Sequence, residues 1–412
     1  MQKRLHLLVV LLAFVVSTAM AQITTSGISG KVTSDNESVI GATVTAIHQP
    51  SGTVYRAVTN IDGRYTIQGM RPGGPYKVEV SYIGYKDKSV NNVNLSLGET
   101  TNLTFSLKED AHQLQEVVVA GKAGLAASRT GAATSMNAEQ INNMPSITHG
   151  IADVARLNPQ LTVTNSGNMS FAGTNNRYNN FMIDGAANND VFGLASSGNN
   201  GGQAGAQPVS METIEQIQVS VAPFDVRQSG FTGGAINAIT KSGTNKFHGS
   251  AYYYGYNQDL IGTKYPYLDG TGYAPKYQKQ TQYNMGVTLG GPIIKNKLFF
   301  FANYERTNKE YPNLYGVDSG NSKVNTEQAK DIMNMLQKMA EKQGVAFNDY
   351  FSNQDIYTKS DKAGLKLDWN INEFNKFAIR WSLVKAEQLS GGGSASSLNT
   401  YAFQEQYQLF HR

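Results

Sequence analysis

The residues that could do chemistry in this chain are scattered. A hydrolytic zinc site needs closely spaced His and Glu ligands. The six histidines (His6, His48, His112, His149, His248 and His411) are widely dispersed, and none begins a His-x-x-Glu. His48 falls in an expected strand and reads as a surface residue. Cysteine is absent, which excludes a thiolate metal site, a disulfide framework and a cysteine nucleophile. Asp184, Asn188, Asn189 and Asp190 carry oxygen donors that would suit calcium, but their spacing matches no specific loop. Gly230 to Gly234 lack the Lys-Ser/Thr that a phosphate-binding loop requires. The sequence therefore predicts no catalytic residue, no metal site, no cofactor and no enzyme.

What the chain has in place of a catalytic constellation is strand periodicity. In 281–289, Tyr283, Met285, Val287 and Leu289 share one face, opposite Gln282, Asn284, Gly286 and Thr288. In 363–371, Leu365, Leu367, Trp369 and Ile371 oppose Lys366, Asp368 and Asn370. In 376–383, Phe377, Ile379, Trp381 and Leu383 oppose Lys376, Arg380 and Ser382. Period-two alternation with charges on one face suits a wall between lipid and a watery lumen. Short turns near 291–296 and 372–374 alternate with long loops, as on the two sides of an outer membrane. One loop carries an expected helix over 326–343. About six strands are expected from 245 to 412, whereas a plugged transporter barrel has about 22. The chain is thus expected to be a fragment or a truncated product, prone to aggregate through its open edge if expressed alone.

Composition agrees. Only 16% of the 412 residues are charged, while Gly (41) and Tyr (22) are abundant, as turn-rich β structure with aromatic girdles demands. A net charge of +4 without a basic cluster gives no footprint for nucleic acid. Lys3 and Arg4 precede an apolar run over 5–16 and Ala19-Met20-Ala21. This is a signal-peptide pattern over residues 1–21, with cleavage after Ala21 and export.

Residues 22–108 contain short β-rich runs at 28–33, 42–48, 54–59, 65–68, 76–82 and 102–107. Asn60-Ile61-Asp62-Gly63 between two of them reads as a tight hairpin turn. A small antiparallel sandwich follows. Gly30-x-Val32, Gly41-Ala42-x-Val44, Asp62-Gly63-x-Tyr65, Pro72-Gly73 and Gly84-Tyr85 resemble the carboxypeptidase-regulatory-like domain family. Without zinc ligands, the domain reads as a spacer or docking module.

A polar, Gly/Ala-rich linker over 109–125 holds one β-prone patch, Glu116-Val117-Val118-Val119. An extended patch of this kind can add itself to a partner's sheet edge. Beyond it, residues 126–244 contain three ordered motifs: Phe181-Met182-Ile183-Asp184-Gly185, Ile214-Glu215-Gln216-Ile217-Gln218-Val219, and Gly233-Gly234-Ala235-Ile236-Asn237-Ala238-Ile239-Thr240-Lys241. In that order they resemble the plug domain of TonB-dependent receptors, and Glu116 to Val119 resemble the TonB box that precedes it. The Arg-Gly-Pro usual after the second motif is replaced by Ser220 to Gln228, which resembles the Oar-like rather than the SusC-like branch.

The expected fold is mainly β: an immunoglobulin- or transthyretin-like sandwich, an α+β plug, then the first strands of a transmembrane barrel. The resemblance implies a TonB-dependent outer-membrane receptor with a periplasmic N-terminal domain. It would take up a bulky solute with energy from TonB and its inner-membrane complex. The implied partners are TonB, an extracellular ligand and outer-membrane lipid. An adhesive or structural surface protein anchored by the same barrel is the alternative. The implied site residues are Glu116, Val117, Val118 and Val119 for TonB docking, and Asp184, Gly185, Ile214, Glu215, Gly233, Gly234 and Asn237 for the plug. A removable plug should meet its wall through polar contacts.

Overall fold

The computed structural model describes residues 24–35, 37–109, 132–146, 149–164, 168–190, 195, 197–221, 231–260, 279–312, 325–345, 355–391 and 403–411. Residues 1–21, read above as a signal peptide, and Glu116 to Val119 lie outside them.

Nine strands build the N-terminal sandwich: β1 (Ser26–Ser34), β2 (Glu37–Ser38), β3 (Thr43–His48), β4 (Thr53–Val58), β5 (Arg64–Met70), β6 (Gly73–Ser81), β7 (Lys88–Leu95), β8 (Thr100–Asn102) and β9 (Phe105–Ser106). One sheet runs β4-β3-β6-β7, and the other is organised around β1. Alternate residues of the two sheets, including Ile28, Val44, Val78, Tyr76 and Phe105, interdigitate in a shared core. Three expectations need correction. The sandwich is not purely antiparallel, because β8 and β9 pair parallel to β1. The 60–63 turn does not close a hairpin: β4 and β5 belong to different sheets, and the turn carries the chain across the core. Asn60 Oδ1 shapes it by accepting from the Asp62 and Arg64 amides (3.0 and 2.8 Å), with Gly63 at φ +70°.

The third correction concerns His48, which is buried. Its ring lies 4.9 Å from that of Tyr76, and its Nδ1 is 2.6 Å from Ser51 Oγ. The register of β3 places it in line with Val44 and Ala46, both buried. Burial, helped by the Arg71 charge, lowers its pKa to about 3. The unfolded chain therefore binds one more proton between about pH 3 and 6.5, so stability rises with pH through that window. Residues 22–109 expressed alone are expected to fold around their own core. They should lose up to about 1.4 kcal/mol per pH unit on acidification through that range, read by thermal melts. A His48→Gln domain should show a flatter profile.

The second body opens with β10 (Ala132–Asn137), α1 (Ala138–Asn142) and α2 (Ile151–Ala155). It continues with β11 (Leu161–Val163), β12 (Met169–Phe171), β13 (Asn180–Ile183), β14 (Ala186–Ala187), β15 (Ile214–Val221) and β16 (Ala235–Thr240). Its main sheet runs β10-β15-β16-β13-β14, with β13 parallel to β16. Ile151, Val154, Phe171, Ile217, Val219 and Ile236 share one apolar core. The body thus folds on its own residues rather than on the wall.

The wall is an antiparallel meander: β17 (His248–Asn257), β18 (Thr281–Ile294), β19 (Leu298–Tyr311), β20 (Ile356–Asn370), β21 (Lys376–Gly391) and β22 (Phe403–His411). Each strand pairs with the next. Several run longer than the alternating windows suggested, up to 16 residues in β21. Polar residues continue the ladders toward the long-loop side, where hydrophobic periodicity no longer marks them. Trp369, Phe377, Ile379 and Trp381 are exposed on the outer face, as a lipid-facing surface requires. The long loop between β19 and β20 carries α3 (Thr326–Gln343), at its expected position. Asn325 and Gln328 form a capping box at its start, and Gly344 ends it at φ +66°.

Candidate functional site: the seat of the plug in the wall

The second body meets the wall through two charged seats. The first is built on the β13–β14 hairpin. Asp184 and Gly185 occupy its turn at φ +48° and +78°, the left-handed pair that a two-residue hairpin of this twist requires. That conformation brings the Asp184 carboxylate against the neighbouring strand β16, where it accepts from the Thr240 amide (2.9 Å) and hydroxyl (2.6 Å). Two wall cations complete the seat: Lys366 Nζ at 3.3 Å and Arg380 Nε at 3.4 Å. Lys366 and Arg380 stand directly opposite each other on β20 and β21. Burial alone would raise the Asp184 pKa. The Lys366 and Arg380 charges, with the Thr240 hydrogen bonds, outweigh it and hold the carboxyl below its usual value.

The second seat is deeper. Glu305 of β19 and Lys362 of β20 are paired in register and form a 2.5 Å ion pair, with side chains only 8% and 6% exposed. Two hydroxyls donate to the other carboxylate oxygen: Ser210 from the second body at 2.6 Å and Tyr252 from β17 at 2.7 Å. Close by, Tyr254 donates to Glu212 (3.1 Å). The apolar share of the contact is small, with Ala204 and Ala206 packed on Ala386. Polar contact between plug and wall was the sequence expectation. Its main residues are Ser210, Thr240, Tyr252, Glu305, Lys362, Lys366 and Arg380, of which Lys366 and Arg380 carry charges on faces already read as alternating.

The other expected site residues serve the second body itself. Ile214 lies in its core, and Asn237 is buried on β16. Glu215 faces the sandwich, where a Cβ on Gly73 would come within 3.1 Å of its carboxylate. Side chains at Gly233 and Gly234 are excluded by space: a Cβ would lie 2.4 Å from Asn179 Oδ1 and 2.2 Å from Phe171 Cγ, respectively. The oxygen donors considered for calcium are committed to separate networks. Asp184 serves the wall, Asn188 Oδ1 accepts from Asn200, Asn189 bonds Asn180 and the Phe181 amide, and Asp190 accepts from the Ala195 amide. Among the described residues no group of three or more His, Asp or Glu side chains is arranged to hold a metal ion.

Three domain families match the chain in series: the carboxypeptidase regulatory-like domain over residues 27–108, the TonB-dependent receptor plug domain over 126–236, and an outer membrane beta barrel domain over 239–319. The chain thus carries, in order, the domain series of TonB-dependent receptors. The second body is therefore a plug domain and the six-stranded sheet is outer-membrane barrel wall. It is similar to the TonB-dependent transporter Oar of Myxococcus xanthus, at 29% identity over 60% of this chain and 23% of Oar. It is also similar to the probable TonB-dependent siderophore receptor PirA of Acinetobacter baumannii, at 31% over 24% of this chain and 11% of PirA. The chain thus spans under a quarter of the length of these curated relatives. Among solved structures, the outer membrane transporter YddB from Escherichia coli overlays 68% of this chain and 36% of its own at a TM-score of 0.46 and 13% identity.

The Asp184 seat makes a direct prediction. Asparagine tolerates the left-handed turn, so Asp184→Asn keeps the hairpin and removes only the charge. It should cost about 1.5–3 kcal/mol, the usual worth of hydrogen bonds to charged groups. The depressed pKa means the contribution is complete above the ordinary carboxylate range and is lost only as pH falls through the folded value. The deficit, read as the denaturation midpoint of the receptor, should therefore be constant across neutral pH and shrink only in strong acid.

Proposed function

We propose that this receptor imports a bulky solute across the outer membrane with energy delivered by TonB. The observation that carries the reading is the character of the plug's seat. A plug that must leave needs its own core and polar, rewettable contacts with the wall, and these are the features found at Asp184 and Ser210. Glu116 to Val119 would dock TonB by strand addition, with TonB drawing on its inner-membrane complex. Asp184, Gly185, Ile214, Glu215, Gly233, Gly234 and Asn237 would keep the plug's fold and seat. Residues 1–21 would act as a cleaved signal peptide, leaving the sandwich (22–108), linker (109–125) and plug (126–244) on or above the periplasmic side of the wall (245–412). The exposed outer face of the wall would contact lipid.

The test is solute depletion. Cells with the full-length receptor and cells lacking it are grown in the same medium, with and without a protonophore, and the medium is profiled by mass spectrometry. A solute depleted only by energised, receptor-bearing cells is expected. Surface binding that is indifferent to the protonophore would instead establish the adhesive alternative.

A further inference from the structure

The N-terminal sandwich touches the plug and the wall at once. Leu97, just past β7, is fully buried, yet it belongs to neither the sandwich core nor the plug core. It is buried between the two domains. Its amide donates to Gln216 Oε1 (2.7 Å), and its carbonyl accepts from Gln218 Nε2 (3.1 Å). Gln216 and Gln218 alternate along β15 with Ile217 and Val219, which face the plug's own core. One strand thus serves two interfaces, apolar inward and amide outward.

The wall contacts are of another kind. Besides the Asn245 amide, which donates to the Pro50 carbonyl (2.8 Å), they gather at the β20–β21 turn, one of the short connections that face the periplasm. Arg56 pairs with Glu373 at 2.5 Å, and Lys376 Nζ stands 3.7 Å over the Tyr55 ring. Asn370 donates to Thr53 Oγ1 at 2.9 Å. The ion pair is half exposed, at 50% and 51%, so water and salt compete for it. The Leu97 contacts with the plug are buried.

We propose that the sandwich is a clasp on the periplasmic side: it ties plug strand β15 to the β20–β21 turn, and it lets go of the wall before it lets go of the plug. The asymmetry follows from solvation. A buried amide pair loses its partners outright when pulled apart, whereas an exposed ion pair exchanges them for water at little cost. A pull applied to the linker would therefore free the sandwich from the turn first and carry it off with the plug. The sandwich adds a restraint against plug movement that the two charged seats do not supply. The inference rests on the plug being movable, but its test requires neither ligand nor TonB.

The test is single-molecule pulling on the full-length receptor in a bilayer, through one cysteine introduced by Ala120→Cys. No other cysteine occurs in this chain, so the handle is unique within it. Three proteins are compared: the receptor with the handle alone, the same with Arg56→Glu, and the same without residues 22–108. Arg56→Glu sets two carboxylates against each other on an exposed surface, where folding is not at stake. The first rupture is expected at lower force in Arg56→Glu than in the parent, and to be absent from the sandwich-free receptor. Salt should weaken the parent toward the Arg56→Glu value. Identical first ruptures in the parent and the sandwich-free receptor would overturn the clasp. A loss only on removing the sandwich, with Arg56→Glu unchanged, would overturn its release at the wall. Absence of energised solute uptake would defeat the transport reading without touching either outcome.

Discussion

Lys362→Met is expected to destabilise the receptor by about 3–5 kcal/mol, the cost of leaving one partner of a buried ion pair behind. Glu305 and Lys362 face each other across β19 and β20 and are almost wholly out of water. Removing the ammonium leaves the Glu305 carboxylate with only the Ser210 and Tyr252 hydroxyls. Two neutral donors do not repay the desolvation of a full charge. The loss should appear as a lower temperature for the heat-induced mobility shift of the folded receptor on detergent gels. The double variant Glu305→Gln/Lys362→Met should recover most of it, because a neutral amide can accept from both hydroxyls and no charge remains buried. A single variant as stable as the wild type would show that the buried pair contributes nothing to stability.

The fold was legible where a local rule fixed it. Alternation alone placed Trp369, Phe377 and Trp381 on the outer face, where they are exposed. Asp184-Gly185 closes its apolar motif with residues that tolerate a positive φ, and they form the turn between β13 and β14. His48 was misjudged although the signal was present: residues 44, 46 and 48 share one face of β3, and strand register outweighs the polarity of an imidazole that finds a hydroxyl partner. The seats themselves were not legible. Asp184 meets Lys366 across 182 positions, and Leu97 meets Gln216 across 119. No local period links such residues. A charge on a strand face states that it needs water or a partner, and only the tertiary fold says which. The parallel strands beside β1 escaped for the same reason, since pairing order is a property of the returning chain and not of either strand.

Deleting Glu116 to Val119 is expected to abolish capture of the receptor by the periplasmic domain of TonB, and with it energised uptake, while ligand binding at the cell surface persists. These residues lie outside the described part of the structure, so the expectation rests on their chemistry. Three successive valines favour an extended backbone, and Gly121 and Gly124 after them disfavour a competing helix. Each backbone hydrogen bond in an added strand contributes about 0.5–1.5 kcal/mol net. Four such bonds would then change capture by about three orders of magnitude. Geometry makes this small contact sufficient to bear load, because bonds across a strand pair are sheared together rather than opened one by one. Val118→Pro separates this mechanism from side-chain recognition. It keeps an apolar residue but removes one amide donor, and it should impair capture far more than Val118→Ala. Equal effects of the two would assign recognition to the side chains, and uptake that survived the deletion would sink the coupling altogether.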